Sequence, residues 1–276
     1  MAIANLDQLV NALANNASRV VIDKASLASQ VAGRYCSLWR ATGLPAQGAI
    51  PTTAAACTNA TLGGIQFAQQ TAPATSYIGT MNAVGSNSAF TLEVHDRLAH
   101  RGGLVLNVTT AQAVDLDLDL LSIPADRIGD PTYGDVQTWL EVYTDGGATA
   151  SNATINVTFD DNTDADVSVL AVGGTIRAGN MFGIDAQRTT AQQGKNIKRI
   201  NTVTLSASTG TAGNFGFTFT RPRMYLPMNL ANLINKADWA ETGLPEVPNG
   251  ACLQFMMIPS TTSSGTLRGG GKIIHG

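Results

Sequence analysis

The first regular pattern along the chain has the helical period. Leu6, Leu9, Val10 and Leu13 fall at i, i+3, i+4 and i+7, which is one apolar face of a helix over residues 5–15. Asn5 is placed to cap it, with Gln8 three residues on. Leu27, Val31, Tyr35 and Leu38 form a second helical stripe, with Asp23 as its cap and Gly43 and Pro45 as its stop. Residues 46–88 are rich in Gly, Thr and Ala and show little periodicity, which predicts an extended connector with one strand.

From residue 89 the period becomes two. Phe90, Leu92 and Val94 alternate with Thr91, Glu93 and His95, and Leu104, Leu106 and Val108 follow. Val114, Leu116, Leu118 and Leu120 alternate with Asp115, Asp117 and Asp119. Val136 to Val142, Ile155 to Phe159, Val167 with Val169, Val203 with Leu205, and Phe215 to Phe219 continue the alternation between polar turns. Short alternating strands separated by turn residues predict a mainly β fold, an antiparallel sandwich or jelly-roll-like core. One apolar face per strand means that each sheet buries one side. The expected organisation is a helical segment over 1–45, an extended connector over 46–88, the sandwich over 89–227, and a C-terminal helix, strand and arm over 228–276.

Near the C-terminus Leu230, Leu233, Ile234 and Trp239 suggest a short helix. A repeat then becomes visible. Trp39-Arg-Ala-Thr-Gly43-Leu44-Pro45 returns as Trp239-Ala-Glu-Thr-Gly243-Leu244-Pro245. Glycine after a helix supplies a left-handed cap and proline then stops it, so both copies read as one stop device packed in similar surroundings. These eight residues, Trp39, Gly43, Leu44, Pro45, Trp239, Gly243, Leu244 and Pro245, are the candidate interface positions. The final stretch, 259–276, reads as an arm held by a neighbouring subunit.

Charge changes this picture. Only 13% of the 276 residues are charged, about half of the ~25% usual in soluble domains. The deficit is local: no charged residue occurs between Arg40 and Glu93, between Arg199 and Arg221, or between Glu246 and Arg268. Uncharged stretches of that length must be tucked into a core or lie against another chain. Charge depletion marks interface cores, and three such stretches favour subunit contact. Seventeen basic against twenty acidic residues leave no basic footprint for nucleic acid. No apolar run reaches the length of a membrane span, and residues 1–20 do not read as a signal peptide.

Candidate chemistry is sparse. Cys36, Cys57 and Cys252 make no CxxC pair and read as buried small hydrophobes; with His95, His100 and His275 they complete no zinc pattern. Asp115, Asp117 and Asp119 lie on one strand face, too far apart to share an ion. Asp160, Asn162, Asp164 and Asp166 match the start of a calcium loop, but Ala165 and Ala171 stand where it needs Gly and Glu. His95, Asp96 and His100 are a local cluster, in which His95 and Asp96 point to opposite faces of a strand. Gly210 to Gly216 reads as a hairpin loop. No nucleophile elbow, phosphate loop or metalloprotease motif occurs, so no enzymatic activity and no cofactor are expected. Trp139 and Tyr143 share one strand face, which, if exposed, could hold a glycan or a partner; Tyr133 and Tyr225 are further aromatic candidates.

Three segments resemble a group of tailed-bacteriophage virion proteins: Trp39 to Thr52, Phe90 to Leu104, and Val136 to Thr149. The resemblance spans roughly residues 35–170, and its motifs are structural. It implies a copy-rich component of a virion, assembled in the host bacterial cytoplasm. The favoured role is a capsid decoration or cement protein; a tail, neck or fibre component and a carbohydrate-binding attachment module are the alternatives. Expected partners are copies of this chain in a symmetric oligomer such as a trimer, and the major capsid protein or other virion proteins. Nucleic acid and membrane are not among them.

Overall fold

A computed structural model describes residues 3–87, 89–169, 172, 174 and 177–276. In chain order the elements begin with α1 (Leu6–Asn15), β1 (Ala17–Lys24), β2 (Cys36–Ser37), β3 (Gly43–Leu44), β4 (Ala55–Ala56), β5 (Ser76–Gly85) and β6 (Phe90–Leu104). Then come β7 (Gln112–Asp117), α2 (Ala125–Ile128), β8 (Gln137–Thr144), β9 (Ala153–Phe159), β10 (Asp164–Val169), β11 (Met181–Gly183) and β12 (Ile197–Leu205). The chain closes with β13 (Asn214–Met228), β14 (Asn235–Asp238), α3 (Trp239–Thr242), β15 (Glu246–Val247), β16 (Leu253–Ile258) and β17 (Leu267–His275).

The strands form three sheets, and their pairings are antiparallel. The first runs β14-β5-β17-β1-β3, with β15 also on β5; the second runs β10-β9-β12-β7; the third runs β11-β8-β13-β6-β16-β2, with β4 also on β6. The third sheet is the spine. Its two longest strands, β6 and β13, pair from Phe90↔Met228 to Leu104↔Phe215. One face of this spine carries both cores. At one end Leu92, Val94, Met224, Leu226, Leu253 and Phe255 meet Val20, Ile22, Ile78 and Ile273 of the first sheet. At the other end Leu140, Val142, Phe215, Phe217 and Phe219 meet Ile155, Val157, Val203 and Leu205 of the second. Each such Phe or Leu contributes about 1.5–3 kcal/mol by burial. The result is two sandwiches sharing one long sheet, which is the expected antiparallel class. Register shifts at Phe219/Thr220 and Pro222/Met224 mark bulges, and bulges bend strands.

Several expectations change here. Helix α1 forms where periodicity placed it. Asn5 accepts from the Gln8 amide at 2.9 Å, and Gln8 answers through the Ala4 amide at 2.7 Å. Only part of its apolar face is covered, however: Leu9 and Ala12 pack on Ile274, while Leu6 and Val10 stay 59% and 56% exposed. No helix follows Asp23. Asp23 and Lys24 end β1, and Cys36–Ser37 pair with Met256–Met257 of β16; strand pairing overrides a weak helical stripe. The connector 46–88 holds two strands rather than one: the two-residue β4, on β6, and the ten-residue β5, inside the first sheet. Residues 229–234 form no helix, and Asn235–Asp238 is a strand. The expected arm at 259–276 is corrected most: Leu267–His275 is a central strand between β1 and β5. Gly210 to Gly216 is no hairpin loop, because it links β12 and β13, which lie in different sheets.

The two motif copies also part company. In the second, Asp238 caps α3 reciprocally with Glu241, and Gly243 takes the left-handed conformation at φ 71°, as the stop device requires. The first follows no helix. Gly43 and Leu44 form the short edge strand β3 on Lys24 and Asp23. A Cβ on Gly43 would lie 1.8 Å from the Asp23 carbonyl oxygen, so this glycine answers to close backbone approach.

Lys24 holds that edge in place. It is buried, and its Nζ donates to the carbonyls of Ala41 and Pro45 at 3.1 and 2.7 Å. Burial lowers its pKa from 10.5 to about 8. Between those values the unfolded chain binds more protons than the folded one, so stability rises with pH. Below about pH 8 the burial penalty is fully present. Urea denaturation at pH 7.5 and 9.5 is expected to show this rise in wild type, and Lys24→Met should remove it.

Candidate functional site

The opposite face of the spine sheet is polar and covered. Thr218 and Thr220 lie between the core phenylalanines of β13, Glu141 lies between Leu140 and Val142, and Glu93 and His95 flank Val94. Alternation sends all of these to the side away from the two cores. There they meet Tyr35 and Trp39, which precede the charge-free N-terminal segment, and Cys57 within it.

Arg97 is the centre of this face. Its Nη2 lies 2.7 Å from Glu141 Oε2, and both side chains are buried. It donates to His100 Nδ1 at 3.0 Å, Gln254 Oε1 at 3.0 Å and the Tyr143 hydroxyl at 2.8 Å. Its guanidinium stacks 4.3 Å from the Trp39 ring centroid. Thr218 donates to Glu141 at 2.6 Å. Burial opposes ionisation of Glu141, but the charge and hydrogen bonds of Arg97 override it and hold the carboxyl below its usual value. Trp39 is fixed on its other edge, where Nε1 donates to the Ala49 carbonyl at 2.9 Å.

A second group lies beside it. Tyr35 donates to Glu93 at 3.0 Å, and His95 Nε2 meets the other Glu93 oxygen at 2.7 Å. Trp139 Nε1 donates to Thr220 Oγ1 at 2.9 Å, and Thr220 lies 3.1 Å from His95 Nδ1. Asp96, on the reverse side of the strand, takes both nitrogens of Arg127 at 2.6 and 3.0 Å and the Cys252 amide at 2.9 Å. His95 and Asp96 thus point apart, as expected, and His100 joins Arg97 rather than either of them.

These groups pair with one another away from water, except that Glu141 Oε1 and Gln254 Nε2 are buried without a hydrogen-bond partner. The arrangement positions a segment; it offers no open site for a substrate. Trp139 and Tyr143 are both buried, which corrects the reading of them as a glycan or partner face. Their polar atoms serve Thr220 and Arg97 instead. The three cysteines are buried and free. Asp115 and Asp117 lie against Arg199, and Asp119 against Lys198. In the loop read against the calcium pattern, Asp160 accepts from the Asn196 amide, Asp164 from Thr158 and Asp166 from Asn156; Ala171 lies outside the described residues.

The charge-free stretches are internal only in part, and most of residues 42–75 are exposed or half-buried. Residues 215–220 and 253–257 are buried within the spine, and Ala41, Gly48, Cys57, Ile65 and Phe67 are buried beneath or beside it. They are tucked into this chain's own core, so charge depletion alone does not mark a subunit contact here.

The candidate interface residues divide between burial and surface. Trp39 is buried in the network, and Gly43 is set by its backbone pairing. Leu44 and Pro45 line a groove of about 660 Å³ with Val21, Leu62 and Ile65, in which Leu44 and Leu62 are 51% and 58% exposed. Trp239, Gly243 and Leu244 line a cleft of about 360 Å³ with Ile3 and Leu9 of the N-terminal segment. Pro245 borders a polar hollow with Arg221 and Arg223. One feature of the first groove escaped sequence reasoning. His275 donates to the Asn16 carbonyl and Ala25 to that of Thr42. With the registers of β1, this turns the backbone groups of its even positions to β17 and of its odd positions outward. Beyond β3, Ala17, Arg19 and Val21 therefore present an open strand edge to the groove.

Fold and surface together define a mainly β chain with two partly apolar grooves on its surface. No family model matches the sequence, and no curated protein matches it. Among solved structures, the VP2 subviral particle of infectious bursal disease virus is 10% identical, with 96% of this chain and 85% of that chain covered, at a TM-score of 0.17. T=1 particles derived from infectious bursal virus are 9% identical, with 97% and 82% covered, at 0.18. TM-scores this low leave the architecture resting on the sheets described above.

Proposed function

We propose that this chain is a structural subunit of a virus particle that packs against copies of itself, with no catalytic role. Within a tailed phage it serves as a capsid decoration or cement protein, fastening the major capsid protein by burying uncharged surface across subunit joints. The observation that carries this reading is the placement of the repeated motif. Its two copies take different conformations, yet Leu44–Pro45 and Trp239–Leu244 each line an exposed apolar groove. The first groove lies at the β3 edge of the first sheet; the second lies beside α3, which follows β14 at its other end. Two unlike grooves suit a head-to-tail contact between copies, which closes into a ring when the rotation allows. The resemblance of residues 35–170 to tailed-phage virion proteins supports the finer role.

Light scattering of the purified chain over a range of concentrations tests the self-association. Wild type is expected to form a defined oligomer, and Leu44→Asp/Leu62→Asp to be monomeric with an unchanged melting temperature. A wild-type chain that stays monomeric throughout would sink the reading. A particle reconstruction that places the chain on shell faces would support the cement role, and one that places it on the tail would replace it with a tail role.

A further inference from the structure

Cys57 and Cys252 stand on the same edge of β6. The Cys57 amide donates to the Leu98 carbonyl at 2.9 Å, and the Cys252 carbonyl accepts from the Arg97 amide at 2.8 Å. The two cysteines are thus anchored to consecutive residues of one strand. Arg127 ties their backbones further: it donates to the Cys57 carbonyl at 2.7 Å and pairs with Asp96, which accepts from the Cys252 amide. Their side chains share one buried cluster with Trp39 and Tyr143.

We propose that Cys57 and Cys252 are an oxidisable pair, which peroxide converts to a disulfide that fastens the charge-free segment to β16. Cys57 is the nucleophile. Burial opposes its ionisation, but the hydrogen bond of Cys252, the charge and hydrogen bond of His100 and the charge of Arg97 overcome this and hold its pKa well below the usual thiol value. The hydrogen bond to Cys57 and burial keep Cys252 protonated.

The Cys57 thiolate attacks one oxygen of hydrogen peroxide, the O–O bond breaks, and the leaving hydroxide takes the proton released by Cys57 to form water. The Cys252 sulfur then attacks the Cys57 sulfenic acid; the S–S bond forms, the S–O bond breaks, and the Cys252 proton leaves with the hydroxyl as a second water. Two thiols are oxidised and one peroxide is reduced to two waters. Peroxide is close to water in size, which suits a buried pair.

The test treats the purified full-length chain with hydrogen peroxide. It is expected to lose the mass of two hydrogen atoms, to give a Cys57–Cys252 linked peptide, and to leave Cys36 as the one thiol alkylated after denaturation. Burial pushes the Cys36 thiol up, which makes it the internal control. The melting temperature should rise by roughly 5–15 °C and return with dithiothreitol. Cys252→Ser should instead leave a Cys57 sulfenic acid that dimedone traps. A chain that keeps three thiols, a link to Cys36, or a link between two chains would overturn the proposal; peptide mapping of wild type decides it even if the variant does not fold.

Discussion

Arg97→Met is expected to destabilise the chain by about 3–5 kcal/mol, because removing one member of a buried pair strands the other. For a chain of this size that is a fall of roughly 6–20 °C in melting temperature. The substitution leaves Glu141 without its cation and deprives His100, Gln254 and Tyr143 of a donor at once. It also reverses a pH dependence. In wild type the Glu141 pKa is held below its usual value, so its contribution is present above the unfolded pKa and is lost as pH falls through the folded one. Without Arg97, burial is opposed only by the hydrogen bonds of Thr218 and Ser37, and the folded pKa rises. That contribution is then present at low pH and is lost as pH rises. Calorimetry at pH 7 and pH 5 should therefore show the variant closing part of its gap to wild type at the lower pH. Arg97→Met/Glu141→Leu should regain most of the loss, since an apolar pair of similar volume often equals a buried ion pair. A double variant as unstable as the single one would mean that the ion pair is not the source.

Gly48→Ala should cost about 3 kcal/mol, at the upper end for an overpacked core. A Cβ there would lie 2.0 Å from Trp39 Cε2, and one on Gly63 would lie 2.7 Å from the Gly48 Cα. Backbone thus approaches the indole where no side chain fits. The ring cannot retreat, because Arg97 stacks on it and Ala49 holds its Nε1. The expected result is loss of the near-ultraviolet tryptophan signal and faster cleavage within 41–67. Proteinase K is the suitable probe, since trypsin has no site between Arg40 and Arg97. Trp39→Leu introduced together with Gly48→Ala should recover part of the loss, a coupling that unrelated sites do not show.

The network also gives the longest charge gap a physical reason. The segment after Arg40 packs over ion pairs that already balance one another: Arg97 with Glu141 and Arg127 with Asp96. A further charge on its buried side would have no partner in a medium of low dielectric constant, at a cost of several kcal/mol. Serine, threonine, alanine and glycine are what such a cover can contain. The missing charge was visible in the sequence, but the choice between a core and a foreign chain was not. Both environments exclude charge for the same desolvation reason.

Local signals carried as far as local physics reaches. Alternation at period two marked β6, β8, β9 and β13, because each strand turns one face of apolar residues to a core. Asn5 with Gln8 marked the start of α1, and Gly243 marked the end of α3, because caps are satisfied within a few residues. What lay beyond was decided by partners distant in sequence. Leu267–His275 looks like an arm until β1 and β5 flank it. Residues 23–43 look helical until β16 pairs with Cys36 and Ser37. Trp139 and Tyr143 share a face as expected, but Tyr35, Trp39 and Arg97 cover that face. The sequence by itself determined the antiparallel class and the two well-capped ends. Tertiary structure alone decided which faces are buried, because the free energy of burying a strand or a charge depends on the residues brought against it, not on those beside it in the chain.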